Sequence, residues 1–124
     1  MYAMLAVRPD ICYSVGYLSR FADKLPKKAW DAVFHTFRYM AGTLDCGLLY
    51  TPGTSLELGF STYSVSDCAS CINTSRSTGA YVFTLSGGAI SWSTKRQTRC
   101  AKSSCDAEYM QLGNTSSEGI YLNQ

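Results

Sequence analysis

Apolar positions recur every three to four residues in the first third of the chain and in shorter, strand-like runs later. Ile11, Val15, Leu18 and Phe21 fall at helical spacing behind Pro9 and the capping residue Asp10, which predicts a helix over residues 10–23. Pro26 opens a second helix, whose buried face is expected to be Trp30, Val33, Phe34, Phe37 and Met40, with Gly42 as its stop. The short link between them makes an antiparallel helical pair the simple geometry.

After Gly42 the period changes. Gly47-Leu48-Leu49-Tyr50 reads as a short strand, Pro52-Gly53 as a turn, and residues 56–65 as a loosely alternating strand. Residues 66–78 are polar and read as a loop. The firmest β element is a hairpin: residues 79–85 run into Ser86-Gly87-Gly88 and return over residues 89–93. A last helix begins at Ser103, with Asp106 three positions on in a capping-box arrangement. Gly113 and Gly119 each cost it about 1 kcal/mol relative to Ala, so its final turns are expected to fray. The fold class is α+β: two N-terminal helices, a three-stranded antiparallel sheet and one helix. The expected division is residues 1–46, a helical region, and residues 47–124, the sheet and last helix.

Composition changes this picture little. The chain has 124 residues, 46% of them apolar, enough for a core and for one domain or a domain with part of another. Net charge is +2, which by itself announces no polyanionic partner. Its distribution says more. Lys95, Arg96, Arg99 and Lys102 lie in a stretch without acids, and Lys24, Lys27 and Lys28 form a second group. Either is a solvated segment or a set of phosphate contacts. No apolar run approaches the roughly 20 residues of a membrane span. Met1 to Val7 lacks the basic start and cleavage site of a signal peptide, so the chain is expected inside the cell, cytoplasmic or nuclear, with reduced thiols.

Several chemistries are weak or missing. Cys68 and Cys71 form a C-x-x-C, and with Cys100 and Cys105 they offer four thiolates for a structural zinc; independent thiols are the alternative. A thioredoxin-like context for that pair is missing. His35 stands alone on its helix. There is no G-x-S-x-G nucleophile elbow and no phosphate-binding P-loop.

The order of motifs carries more than any one of them. Arg8-Pro9-Asp10-Ile11, Tyr17-Leu18-Ser19-Arg20, Trp30, Arg38-Tyr39 and Gly42-Thr43 are followed by Gly47-Leu48-Leu49-Tyr50 and Arg76-Ser77-Thr78. Then come Tyr81-Val82-Phe83-Thr84-Leu85, Gly87-Gly88-Ala89-Ile90-Ser91-Trp92-Ser93, Lys95, Gln97 and Ala107-Glu108-Tyr109-Met110. This series resembles the Pol polyprotein of copia-type LTR retrotransposons at the join of reverse transcriptase and ribonuclease H. The resemblance implies a helical connection after the polymerase palm, then the opening of a ribonuclease-H-like unit. Family chemistry is hydrolysis of RNA in an RNA–DNA hybrid by two Mg²⁺ or Mn²⁺ ions held on several carboxylates. The polymerase's own Asp-Asp motif is absent.

Residue by residue, the transfer is partial. Glu108 matches the helix carboxylate. Counting back without gaps from Arg76-Ser77-Thr78 places the first-strand carboxylate on Val65; a two-residue slip places it on Asp67. The later strand with its Asp would lie beyond Gln124. The resemblance thus implies Glu108 and Asp67 as the remaining catalytic and metal-binding candidates. Lys95, Arg96, Arg99, Lys102 and Arg76 become candidates for nucleic-acid contact. The implied partners are an RNA–DNA hybrid and the remainder of the polyprotein, with no membrane. The expectation is a fragment without turnover, with a non-catalytic nucleic-acid-binding module or a zinc-stabilised domain as alternatives.

Overall fold

A computed structural model of the chain describes residues 2–23, 26–51, 61–68 and 74–124. Its contacts divide it into Met1–Tyr50 and Thr51–Gln124. The first unit is helical: α1 (Tyr2–Ala6), α2 (Cys12–Leu18) and α3 (Lys27–Gly42), with 3₁₀ turns at Pro9–Ile11 and Ser19–Phe21. The second carries β1 (Ser61–Ser66), β2 (Thr78–Leu85), β3 (Gly88–Arg96) and α4 (Ser104–Leu122). The three strands form an antiparallel sheet in the order β1-β2-β3, and α4 packs on one of its faces. The α+β class and the sheet-plus-helix layout are as expected.

Local chemistry accounts for the element ends. Ser86 and Gly87 both take positive φ, 51° and 81°, the signature of a two-residue turn whose twist matches a hairpin. Ser103 Oγ accepts the Asp106 N–H at 3.1 Å, and the Asp106 carboxylate accepts the Lys102 N–H at 2.9 Å. The capping box is therefore reciprocal, reaching one residue further back than the usual form.

In the first unit, four side chains tie the 3₁₀ turn at Pro9–Ile11 to the end of α3. Arg8 forks onto Asp10, with Nε to Oδ1 at 3.0 Å and Nη2 to Oδ2 at 2.8 Å. The same guanidinium donates to the Thr43 carbonyl at 3.0 Å and to Thr43 Oγ1 at 2.7 Å, and Tyr39 Oη donates to Asp10 Oδ2 at 2.9 Å. Hydrogen bonds from Arg8, then from Tyr39, hold the Asp10 carboxyl down to about 2. Asp10 in turn raises the Tyr39 hydroxyl.

Three local expectations are corrected. Trp30, Phe34 and Phe37 do not form the buried face of α3; they are 49%, 56% and 57% exposed. The covered face is rotated, with Ala29 buried and Val33, Thr36 and Met40 half-buried. Residues 47–50 are irregular instead of a strand. Finally, α4 does not fray at its glycines but runs to Leu122. Gly119 packs over the Phe83 ring, and that contact with the sheet holds the last turns in place of helix propensity. The readings at Lys24, Pro52-Gly53, residues 56–60 and Cys71 lie outside the described residues.

Candidate functional site

The interface between sheet and helix is built largely from polar side chains. Strand alternation and register put Ser64 and Ser66 of β1, Gly79, Tyr81 and Phe83 of β2, and Ser91, Ser93 and Lys95 of β3 on the face toward α4. Phe83 and Ala107 supply its apolar centre. Around them Ser64 Oγ and Thr115 Oγ1 share a hydrogen bond at 3.0 Å, and Ser91 Oγ donates to Glu118 Oε1 at 2.7 Å. Burial, reinforced by the Glu118 charge, raises the Tyr81 hydroxyl. Gln97 is only 7% exposed; its amide donates to the Ala107 carbonyl at 2.8 Å and to Ser66 Oγ at 3.1 Å. One side chain thus ties the end of β3 to both β1 and α4.

Glu108 lies at the β1 end of this interface and is exposed. Its Oε1 accepts the Ser66 N–H at 3.1 Å. Asp67 Oδ1 accepts the Thr78 N–H, while the Asp67 N–H donates to the Thr78 carbonyl at 3.1 Å. Both candidate carboxylates therefore close main-chain hydrogen bonds at the end of the β1–β2 ladder. Val65 pairs with Ala80 in that ladder, on the face away from α4, and is 61% exposed. Among the described residues no three His, Cys, Asp or Glu side chains come together as a metal-binding group.

The basic residues lie on the other side of α4. Lys95, Arg96 and Arg99 line a cleft of about 600 Å³ between β3 and the helix, together with Tyr81, Gln111 and Asn114. Lys102 and Arg76 are not in it. Lys102 uses its main chain in the cap of α4, and Arg76 precedes β2. Cys100 donates to the Thr74 carbonyl at 3.3 Å. The residues that sequence reasoning passed over are Gln97, Gln111, Asn114 and Thr115. The signal available for Gln97 was its place beside Lys95 in the ordered motif series.

Fold and site define a small α+β module with a helix on one sheet face, a basic cleft, and carboxylates engaged by the main chain. Its relatives are as follows. The chain is 40% identical over all of its 124 residues to the retrovirus-related Pol polyprotein from transposon TNT 1-94 of Nicotiana tabacum. It is 39% identical over 111 residues to the corresponding polyprotein from transposon RE2 of Arabidopsis thaliana. It spans 9% and 8% of those two polyproteins. It is also 39% identical over 123 residues to secreted RxLR effector protein 161 of Plasmopara viticola, covering 98% of this chain and 84% of that protein. The chain belongs to the family that this relative shares with a segment of the copia-type retrotransposon Pol polyproteins. No protein-family model and no solved structure matches it. No helix among the described residues is long and apolar enough to cross a membrane.

Proposed function

We propose that this chain is a non-cleaving nucleic-acid-binding module descended from the ribonuclease H region of a copia-type Pol polyprotein. The observation that carries the reading is the division of labour across α4. Three cations, Lys95, Arg96 and Arg99, converge on one cleft, whereas Glu108 and Asp67 each spend an oxygen on a main-chain N–H. A phosphate backbone needs clustered cations, and an exposed amide such as that of Asn114 suits its sugar and base edges. Two-metal hydrolysis needs several free carboxylates on one spot. Val65 offers no donor, and the remaining acids do not fit a pair of Mg²⁺ ions. Glu108 and Asp67 are on this reading structural heirs of metal ligands, and Mg²⁺ or Mn²⁺ is not held.

The test is fluorescence anisotropy with a labelled RNA–DNA hybrid across a salt series. Binding should weaken as salt rises, and Lys95→Ala with Arg99→Ala should lower the slope by about one per phosphate contact removed. Binding insensitive to that double substitution would exclude the cleft.

A second reading rests on the near-full-length match to the Plasmopara viticola protein. In it the module acts outside the cell that makes it, as that protein's name states for itself. The intracellular reading is supported by the unpaired Cys12, Cys46, Cys68, Cys100 and Cys105. Fractionation of cells expressing a tagged full-length product separates the two: recovery from the medium would favour the effector reading.

A further inference from the structure

The cleft between β3 and α4 holds more than cations. Lys95 and Arg99 are exposed along it, and the buried Gln111, packed on Gly79, forms its floor. Between them stand the half-buried side chains of Tyr81, Ser93 and Met110, with the exposed amide of Asn114. Met110 and Asn114 are one turn apart on α4, a span of about 6 Å. At about 600 Å³ the space has the size of a small-ligand site.

Tyr81 is held in place before anything binds. Its ring meets that of Phe83 edge-on, with centroids 5.6 Å apart and planes at 72°. Its hydroxyl shares hydrogen bonds with Ser91, Ser93 and Glu118. A ring fixed at both ends gives up little conformational freedom when a ligand stacks on it. Cations beside such a ring, a thioether and small hydrogen-bonding groups are what a single strand needs: phosphate contacts and a surface for an unstacked base. A duplex matches less well. It can lay phosphates across Lys95 and Arg99, but its bases stay paired and stacked and do not reach Tyr81 and Met110.

We propose, resting on the nucleic-acid-binding reading above, that the cleft takes one unpaired nucleotide of a single strand. The base lies against Tyr81 and Met110, its edge meets Ser93 and Asn114, and the flanking phosphates sit on Lys95 and Arg99. A hybrid is then bound through the cations alone, and a single strand more tightly. Electrostatics by itself gives the opposite order, because a duplex carries the denser charge and releases more counterions per phosphate neutralised. The ranking of the two is therefore diagnostic. Every base has a face to stack, and nothing in the stacking contact selects ribose over deoxyribose, so RNA and DNA strands should both bind.

The experiment is fluorescence anisotropy of the full chain with four short labelled probes: an RNA strand, a DNA strand, the hybrid of an RNA strand with its DNA complement, and the DNA strand made abasic throughout. Each intact single strand should bind about tenfold more tightly than the hybrid, and the abasic strand should lose about the same factor. Tyr81→Leu should weaken the intact strands about tenfold and leave the abasic strand unchanged. Circular dichroism checks that this variant is folded; where it is not, the abasic comparison in wild type decides alone. A hybrid bound as tightly as the single strands, an abasic strand bound as tightly as the intact one, or a folded Tyr81→Leu chain with undiminished affinity overturns the proposal. The nucleic-acid-binding reading survives each of these if Lys95→Ala with Arg99→Ala still weakens binding. A chain that binds none of the four probes ends both.

Discussion

Ser66 and Glu108, 42 residues apart, meet in a single hydrogen bond: a main-chain N–H of β1 donates to a helix carboxylate at 3.1 Å. The bond joins β1 to the first turns of α4. Replacing Glu108 by Gln preserves an acceptor at that atom, so the thermal midpoint should hardly move. Glu108→Ala leaves an exposed N–H to water and should cost about 1 kcal/mol or less. Denaturant titration of both variants checks this. A larger loss in Glu108→Gln than in Glu108→Ala would contradict a hydrogen-bonding role.

Gly79 lies beneath the buried side chain of Gln111, and an added Cβ would overlap Gln111 Oε1. Gly79→Ala is expected to destabilise the chain by about 1–3 kcal/mol, the usual range for overpacking. Shortening Gln111 to Ala should recover part of that loss. A double-mutant cycle by chemical denaturation measures the coupling, and strict additivity would contradict it.

The Asp10 carboxyl titrates near 2 in the folded chain, against an ordinary 3.8. A lowered folded value means stabilisation that is fully present above pH 4 and lost as pH falls from about 4 toward 2. Asp10→Asn should therefore be less stable than wild type at neutral pH, with the gap closing across that acid window. Unfolding midpoints of the two proteins between neutral pH and pH 2 give the comparison.

The aromatic stripe of α3 faces outward, so Phe34→Ser and Phe37→Ser should each change stability by no more than about 0.5 kcal/mol. Ala29→Leu, on the covered face, should cost about 1–3 kcal/mol by overpacking. Melting curves of the three variants order them.

These contrasts mark what was legible in the sequence. The hairpin over β2 and β3 and the cap of α4 depend on turn and capping residues within a few positions, and both were readable from Ser86-Gly87-Gly88 and from Ser103 with Asp106. The covered face of α3 was not, because periodicity gives a stripe's existence and leaves open which side a neighbouring helix takes. The persistence of α4 past Gly113 and Gly119 was hidden for a similar reason: the helix packs on the ring of Phe83, 36 positions from Gly119, and tertiary contact outweighs propensity. Arg8-Pro9-Asp10, Arg38-Tyr39 and Gly42-Thr43 were visible only as separate matches. Their shared cause is one hydrogen-bonded network spanning Arg8 to Thr43. At the site, the cluster Lys95, Arg96 and Arg99 was plain from local charge. Its separation from Glu108 by the width of α4 was not, nor the use of Gln97 as the strap among β3, β1 and the helix.

Whether the carboxylates of this fold act on the main chain or on a metal is tested most directly by one gel. A labelled RNA–DNA hybrid is incubated with saturating chain in Mn²⁺, and the RNA strand is resolved over time. The RNA should stay intact while the hybrid is bound. RNA cleavage by wild type that disappears in Glu108→Gln would contradict a non-cleaving module.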